Sequence, residues 1–325
     1  MIPNQWYAVL ESREVPQERP VRMRRMGENL VFWRDARGQV ACLRDACPHR
    51  GAALSGGKVR GDHLRCPFHG FEFGPDGACR LVPADGRGAP EPRQMKTLAH
   101  PVLESHGLVF LWWGTAPPGE ARPRFFEDLD GLTFGAMRDP WRTHYSRAIE
   151  NQLDVAHLPF VHHNNIGRGG RTLVDGPLVD WLDPDRFRLY VFNRVDDGTR
   201  ARRADQLATP DVPFWLDFLF PNLWQNHINA STRIVVAFAP VDDENTVVYL
   251  RFYQGFARLP ILRQIVNRLS IPSNRYILHQ DRRVVETQLP RRTELKMGER
   301  LIQADGPIIA YRRRRQELIA AAAGG

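Results

Sequence analysis

In the first third of the chain, apolar residues come in short blocks separated by turn formers. Residues 31–33, 40–43 and 107–113 are dense in β-branched and aromatic side chains, which favour strands. Gly38, the Gly56-Gly57 pair, the run Gly74-Pro75-Asp76-Gly77 and Asp85-Gly86 punctuate them. This pattern predicts a small antiparallel β domain. Residues 115–123, rich in Pro and Gly, form the best linker in the chain. The expected division is therefore a first domain over 1–116 and a second over 117–325. In the second, residues 187–192, 214–220, 232–238 and 246–253 have strand composition. Within the last of these, Val247, Tyr249, Arg251 and Tyr253 alternate with Val248, Leu250 and Phe252. Apolar side chains on both faces predict an interior strand. Helix is expected in the first half of 151–162, over 260–269 and over 274–288. The second domain is thus α+β, with no internal repeat and a low-complexity stretch only in the last few residues.

Composition narrows the possibilities. The chain has 325 residues, 42% hydrophobic and 25% charged. A chain of that length buries roughly three quarters of its unfolded surface and needs no disulfide or metal merely to hold a core. Its charged fraction excludes wholesale disorder. No run approaches the ~18 apolar residues of a membrane span, and Met1-Ile2-Pro3-Asn4-Gln5-Trp6-Tyr7 has neither the basic start nor the apolar middle of a signal peptide. A cytoplasmic protein without membrane or nucleic-acid partners is expected. The balance is basic, +8 with a pI near 9.7. Arginine runs at Arg22, Arg24 and Arg25 and at Arg312 to Arg315 read as solvated faces, or more sharply as docking points for an acidic electron carrier.

Four cysteines occur, Cys42, Cys47, Cys66 and Cys79. Clustered cysteines in a cytosolic chain more often bind metal than pair. Cys47-Pro48-His49-Arg50-Gly51 and Cys66-Pro67-Phe68-His69-Gly70 each offer one thiolate and one imidazole, flanked by turn-forming Pro and Gly. Two chemistries use two Cys and two His: a structural zinc site and a Rieske [2Fe–2S] centre. Zinc fingers usually place both Cys on one element and both His on another. Here each loop carries one of each, and the arrangement resembles the Rieske pattern. Cys42 and Cys79 lie outside it and read as small buried residues.

A second constellation follows in residues 151–163. Asp154 and His157 stand three apart, on one helix face. His157 and His162 stand five apart, about 140° around a regular helix, so they converge only if the helix distorts. Pro159, which lacks an N–H, supplies a reason for distortion. An iron site of two His and one carboxylate needs one more acid. On a helix, Ile277, Leu278, Asp281, Val284, Val285 and Gln288 share a face that is mostly apolar, which turns Asp281 toward the core. A buried Asp needs a partner, and a metal ion is one.

These motifs, with the opening Asn4-Gln5-Trp6-Tyr7, resemble over the whole chain the α (oxygenase) subunit of Rieske non-haem iron oxygenases, nearest the short demethylase and monooxygenase branch. The resemblance implies an N-terminal all-β Rieske domain followed by a helix-grip α+β catalytic domain. It implies that Cys47, His49, Cys66 and His69 hold a [2Fe–2S] cluster and that His157, His162 and Asp281 hold a mononuclear Fe(II). Ala52 and Phe68 stand where high-potential respiratory Rieske proteins carry a disulfide, so the loops resemble the lower-potential type. Asp154 matches the carboxylate that links a cluster histidine, here His69, to an iron histidine of the neighbouring subunit. Asn151 matches an Asn near the iron. Such a bridge implies a ring-shaped homotrimer.

No Gly-x-Gly-x-x-Gly follows a strand, so a separate ferredoxin or NAD(P)H-dependent reductase is expected as electron donor. The implied reaction uses O₂ to hydroxylate or demethylate a small aromatic or cyclic substrate. Ring dihydroxylation or desaturation on the same scaffold is the alternative, and a non-catalytic electron carrier or a zinc-stabilised nucleic-acid binder lies further off. Phe218, Phe220, Trp224 and Asn226 are expected in the pocket wall, with residues 164–170 as a gate.

Overall fold

The computed structural model describes residues 1–210 and 214–323; the last two residues of the low-complexity tail lie outside it. By contact density the chain forms two compact units. One holds Pro3–Pro123 with Pro240–Asp242, and the other holds Met1–Ile2, Arg124–Ala239 and Asp243–Gly325.

The first unit is built from ten strands in three sheets. In chain order they are β1 (Gln5–Glu11), β2 (Val21–Arg25), β3 (Glu28–Arg34), β4 (Val40–Arg44), β5 (Lys58–Arg60), β6 (His63–Arg65), β7 (Glu72–Phe73), β8 (Cys79–Leu81), β9 (Val102–Ser105) and β10 (Leu108–Trp113). The sheets run β1-β10-β9, β2-β3-β4 and β5-β6-β7-β8, with antiparallel pairing throughout. Val31, Trp33, Leu43, Leu54, Leu64 and Phe73 pack together, and Cys47, Cys66 and Cys79 are buried within the same cluster. The core therefore grips the two loops that follow β4 and β6. Gly57 shows why those loops can meet: a Cβ there would lie 1.9 Å from the carbonyl oxygen of Arg65, the residue before Cys66.

The second unit is one seven-stranded antiparallel sheet with helices. Its strands are β11 (Thr133–Trp141), β12 (Leu173–Asp183), β13 (Arg186–Arg194), β14 (Trp215–Leu219), β15 (Leu223–Asn229), β16 (Thr232–Pro240) and β17 (Thr246–Gln254), and its helices are α1 (Tyr145–Leu153), α2 (Leu158–Val161), α3 (Pro260–Val285) and α4 (Gly306–Ala323). Strand order is β11-β17-β16-β15-β14-β13-β12. β17 is interior, between β11 and β16, as its two apolar faces require.

Two expectations are corrected here. The helices expected over 260–269 and 274–288 are one helix, α3, with Pro272 inside it. The amide of Asn274 donates to the carbonyl of Ser270 at 2.8 Å, so side-chain bonding supports the turn where the proline interrupts the ladder. The single helix expected through Asp154 and His157, distorted by Pro159 before His162, is also not what forms. α1 ends at Leu153, and Pro159 sits in the first turn of α2, where a missing N–H is harmless. The chain turns instead because Asp154 Oδ1 accepts the backbone N–H groups of Ala156 (2.7 Å) and His157 (3.3 Å), an Asx-type turn.

His144 caps the start of α1. Its Nδ1 accepts the Ser146 N–H at 3.3 Å and lies 2.7 Å from Ser146 Oγ. Burial, reinforced by the positive charges of Arg315, the N-terminus and Arg292, pushes its pKa from the ordinary 6.5 down to about 2. The unfolded chain therefore binds a proton below pH 6.5 that the folded chain refuses. Stability linked to His144 is complete above pH 6.5 and falls by up to about 1.4 kcal/mol per pH unit below it. Urea melts at pH 7.5 and 5.0 should show this loss, and a His144→Asn variant, which keeps a capping oxygen without the titration, should show a smaller one.

Candidate metal centres

The two Cys/His loops close in the same way. In the first, the Cys47 N–H donates to the Ala52 carbonyl and the Gly51 N–H to the Cys47 carbonyl, each at 2.8 Å. In the second, Cys66 N–H donates to Phe71 O (2.8 Å) and Gly70 N–H to Cys66 O (3.2 Å). Gly51 and Gly70 occupy the matching position with φ of +75° and +76°, a conformation that glycine adopts without strain. Buried Asp45 pins the first loop by accepting both the backbone N–H and the hydroxyl of Ser55, at 2.7 Å each.

This closure sorts the donors. Cys47 and Cys66 are buried, whereas His49 and His69 are exposed with ring centroids 4.8 Å apart. Burial, with the neighbouring Cys66 thiol, pushes Cys47 up to about 11, so without a cation the thiol stays protonated. Paired thiols inside and paired imidazoles outside fit a two-iron cluster with sulfur ligands on one iron and nitrogen ligands on the other. Cys42 and Cys79 are buried, unpaired and outside the two loops.

In the second unit, His157, His162 and Asp281 come together, with one ligand atom from each within 4.8 Å of the others. His157 and His162 are the residues flanking the four-residue helix α2, one at each end. Asp281 reaches them from α3, with Oδ1 3.4 Å from His157 Nε2 and 2.9 Å from His162 Nε2. That oxygen is buried yet forms no aligned hydrogen bond. One carboxylate oxygen and two imidazole nitrogens gathered this closely suit a divalent cation. His162 Nδ1 lies 3.0 Å from Gln280 Oε1; donation to this oxygen leaves the Nε2 lone pair available to a metal. Gln280 is itself held by Asn165 Nδ2 at 2.7 Å. Burial opposes a charged His157, but Asp154 and Asp281 raise it to about 9. Burial likewise opposes ionised Asp281, but the two histidines hold it at about 2.

Asp139 fixes the rotation of α3 about Asp281. Its buried carboxylate accepts from His279, two residues before Asp281, and, at 2.9 Å, from Arg282, the residue after it. Glu286, one turn on, accepts from the Arg142 N–H (2.8 Å) and from Arg282 (3.0 Å). Sequence reasoning missed Asp139 and Gln280. Asp139 lies 140 residues from its partner, and no local motif marks either one.

Asp154 lies 3.8 Å from His157 Nδ1 and is half-exposed. Asn151 sits on α1 with its amide nitrogen buried and unpartnered, outside the residues that line the cavity. His163 is exposed. Gly167 lets the following segment settle on α2, since a Cβ there would lie 1.9 Å from Leu158 O.

A cavity of about 340 Å³ opens beside His157, His162 and Asp281. Trp224 and Asn226 line it as expected, joined by Phe214, Leu216, Ile234 and Val236. Phe218 and Phe220 do not. They pack with Phe187 and with Tyr311 of α4 in an aromatic cluster farther along the sheet. Val284 is also turned out to solvent rather than into the core. The second arginine run is not a solvated face, because Arg312 and Arg315 are interior. Arg312 forks onto Glu150 at 2.8 and 2.7 Å, and Arg315 donates to the Thr293 carbonyl at 2.6 Å.

Residues 5–100 match the model of the Rieske [2Fe-2S] domain, and residues 141–321, more than half of the chain, match the vanillate O-demethylase oxygenase C-terminal domain. The chain belongs to the Rieske non-haem iron oxygenases. Membership in this family implies a Rieske cluster and a mononuclear iron site. Among curated relatives, the chain is 39% identical to chlorophyllide a oxygenase of Chlamydomonas reinhardtii over 51% of this chain and 25% of that protein. It is 31% identical to the tert-butanol monooxygenase / tert-amyl alcohol desaturase oxygenase subunit of Aquincola tertiaricarbonis, over 75% of this chain and 54% of that one. The chain thus spans about a quarter to a half of these relatives' lengths. Among solved structures, NdmA of Pseudomonas putida CBB5 superposes with a TM-score of 0.79 at 23% identity, covering 99% of this chain and 92% of that chain. This likeness establishes the shared two-part fold. Among the described residues, no helix is long and apolar enough to cross a membrane.

Proposed function

We propose that this Rieske oxygenase uses O₂ and externally supplied electrons to hydroxylate or oxidatively demethylate a small, largely apolar cyclic molecule. The observation that carries this reading is the His157, His162 and Asp281 set opening onto an apolar cavity. A volume near 340 Å³ lies at the low end of the roughly 300–1,000 Å³ typical of small-molecule sites.

In this reading Cys47, His49, Cys66 and His69 hold the cluster, and His157, His162 and Asp281 hold Fe(II). The cluster supplies single electrons and the iron supplies O₂ activation. The chain's own residues bind and orient. Trp224, Leu216 and Val236 exclude water and shape the apolar wall, while Asn226 offers a polar contact. Gln280 fixes the tautomer of His162. Asp154 Oδ1 is engaged by backbone N–H groups, and among the described residues its Oδ2 takes no hydrogen bond. That oxygen is the one assigned to His69 of a neighbouring subunit in a homotrimer, with Asn151 beside the iron. A separate ferredoxin or reductase donates the electrons, and the protein works in the cytoplasm. Residues 164–170 gate the cavity, with Ile166 in its wall.

The direct test is iron, zinc and acid-labile sulfide content of the fresh protein, with its visible spectrum. The expected result is about three irons and two sulfides per chain. Two irons with two sulfides, unchanged after incubation with Fe(II), would leave an electron carrier. Zinc without sulfide would overturn the assignment of both centres.

A further inference from the structure

Helix α3 has two apolar faces, and only one is covered. Asn274, Leu278, Asp281 and Val285 form its buried face. On the opposite side, Ile261, Ile265, Leu269 and Tyr276 are 76%, 47%, 70% and 54% exposed. At 100° per residue these four fall within an arc of about 80°. Leu262 borders the stripe, and Phe256 and Leu259, 56% and 69% exposed, extend it just ahead of the helix. A stripe of mostly aliphatic side chains facing solvent marks an interaction site rather than a surface helix's ordinary outer face.

Along the chain, the charge flanking the stripe has one sign. No Asp or Glu occurs between Glu244 and Asp281, whereas Arg258, Arg268 and Arg275 are exposed beside it. We propose that this half of α3 docks on an anionic lipid surface, with the aliphatic stripe at the acyl boundary and the arginines among the headgroups. Apolar anchors on one side with purely basic flanks are what interfacial helices use. A face-to-face pair of copies would bring the same uncompensated arginines against each other. A protein partner's site would more often be rich in aromatic residues and Met, whereas Ile and Leu dominate here. The mode is peripheral, so it needs no spanning helix.

One consequence rests on the proposed oxygenase activity. Asn274, Ile277 and Leu278 line the cavity from the opposite side of the same helix, so docking would hold the site near the bilayer with the helix between them. The docking itself does not depend on that activity, and its test does not read turnover.

The test is co-sedimentation of the full-length holoprotein with phosphatidylcholine vesicles, with and without about one third phosphatidylglycerol. Binding is expected to the anionic vesicles only, and to weaken with added salt. Ile261→Ser with Leu269→Ser should reduce partitioning at least tenfold, from the apolar area lost. Arg258→Gln with Arg268→Gln should reduce it roughly 25-fold, about fivefold per charge. All four positions are exposed, so melting temperatures should hold. Failure to bind anionic vesicles, or equal binding by the variants, overturns the proposal. A change in oligomeric state in the Ser variant, by light scattering, with no vesicle binding by either protein, assigns the stripe to a second copy instead.

Discussion

Replacing His162 with Ala is expected to lower oxygenase turnover at least about a thousandfold, the loss of several kcal/mol of barrier lowering, while leaving the cluster's visible spectrum unchanged. His162 is buried, its Nε2 lies 2.9 Å from Asp281 Oδ1, and Gln280 engages its other nitrogen. Ala removes one of three donors, so a divalent ion would keep only His157 and Asp281. The four residues proposed for the cluster lie in the other compact unit, so the cluster's absorption would report on a site that the substitution does not touch. Gln280→Leu makes the complementary case. It keeps all three donors but frees the His162 ring, and should weaken iron affinity about 10–100-fold. Added Fe(II) should restore Gln280→Leu and not His162→Ala. Turnover surviving in His162→Ala above about a tenth of the parent's would remove this triad from the reaction, and a protein acting only as an electron carrier would retain its full function.

The parts of this site that could be read from sequence are those whose chemistry is local. Cys47 with His49, Cys66 with His69, and Asp154 with His157 and His162 are each spelled within a dozen residues, because a turn or a helix end must present them together. Asp281 was found by a different route, as an acid on an otherwise apolar helix face. The cavity wall resisted because it depends on register and on what covers each end of the sheet. Leu216 and Phe218 point to the same side of β14, yet one lines the cavity while the other packs on Tyr311 of α4. Nothing local separates them. The arginine run at the chain end misled for a similar reason. Arg312 and Arg315 look like solvated charge until α4 is laid against α1, where Glu150, Tyr145 and the Thr293 carbonyl wait for them. The two helices expected over 260–269 and 274–288 are one because Pro272 is carried within α3, which only the tertiary setting shows.

Glu150→Ala is expected to destabilise the second unit by about 3–5 kcal/mol, the usual result of stranding a buried charge. Glu150 is buried on α1, and both oxygens of its carboxylate are used. Arg312 Nε reaches Oε1 at 2.8 Å, Arg312 Nη2 reaches Oε2 at 2.7 Å, and Arg147 Nη1 stands 3.4 Å from the same Oε2. Arg312 and Arg147 are themselves buried. Glu299 remains to bond both, at 2.6 and 2.9 Å, but one carboxylate would then face two guanidinium groups with little access to water. At 2–4 °C per kcal/mol for a unit of this size, the melting temperature should fall by roughly 6–20 °C. Removing Arg312 as well should cost less than the two single losses added, because the stranded charge goes with its partner. Glu150 lies four residues before Asp154 on the strut that leads into the His157 turn. The same variant should therefore also loosen the iron site, and Fe(II) at a fixed concentration should raise its melting temperature less than it raises the parent's. A loss below about 1 kcal/mol would mean that Glu299 and water replace Glu150, and that α1 is held by its apolar face through Tyr145, Ala148, Ile149 and Leu153 rather than by this ion cluster.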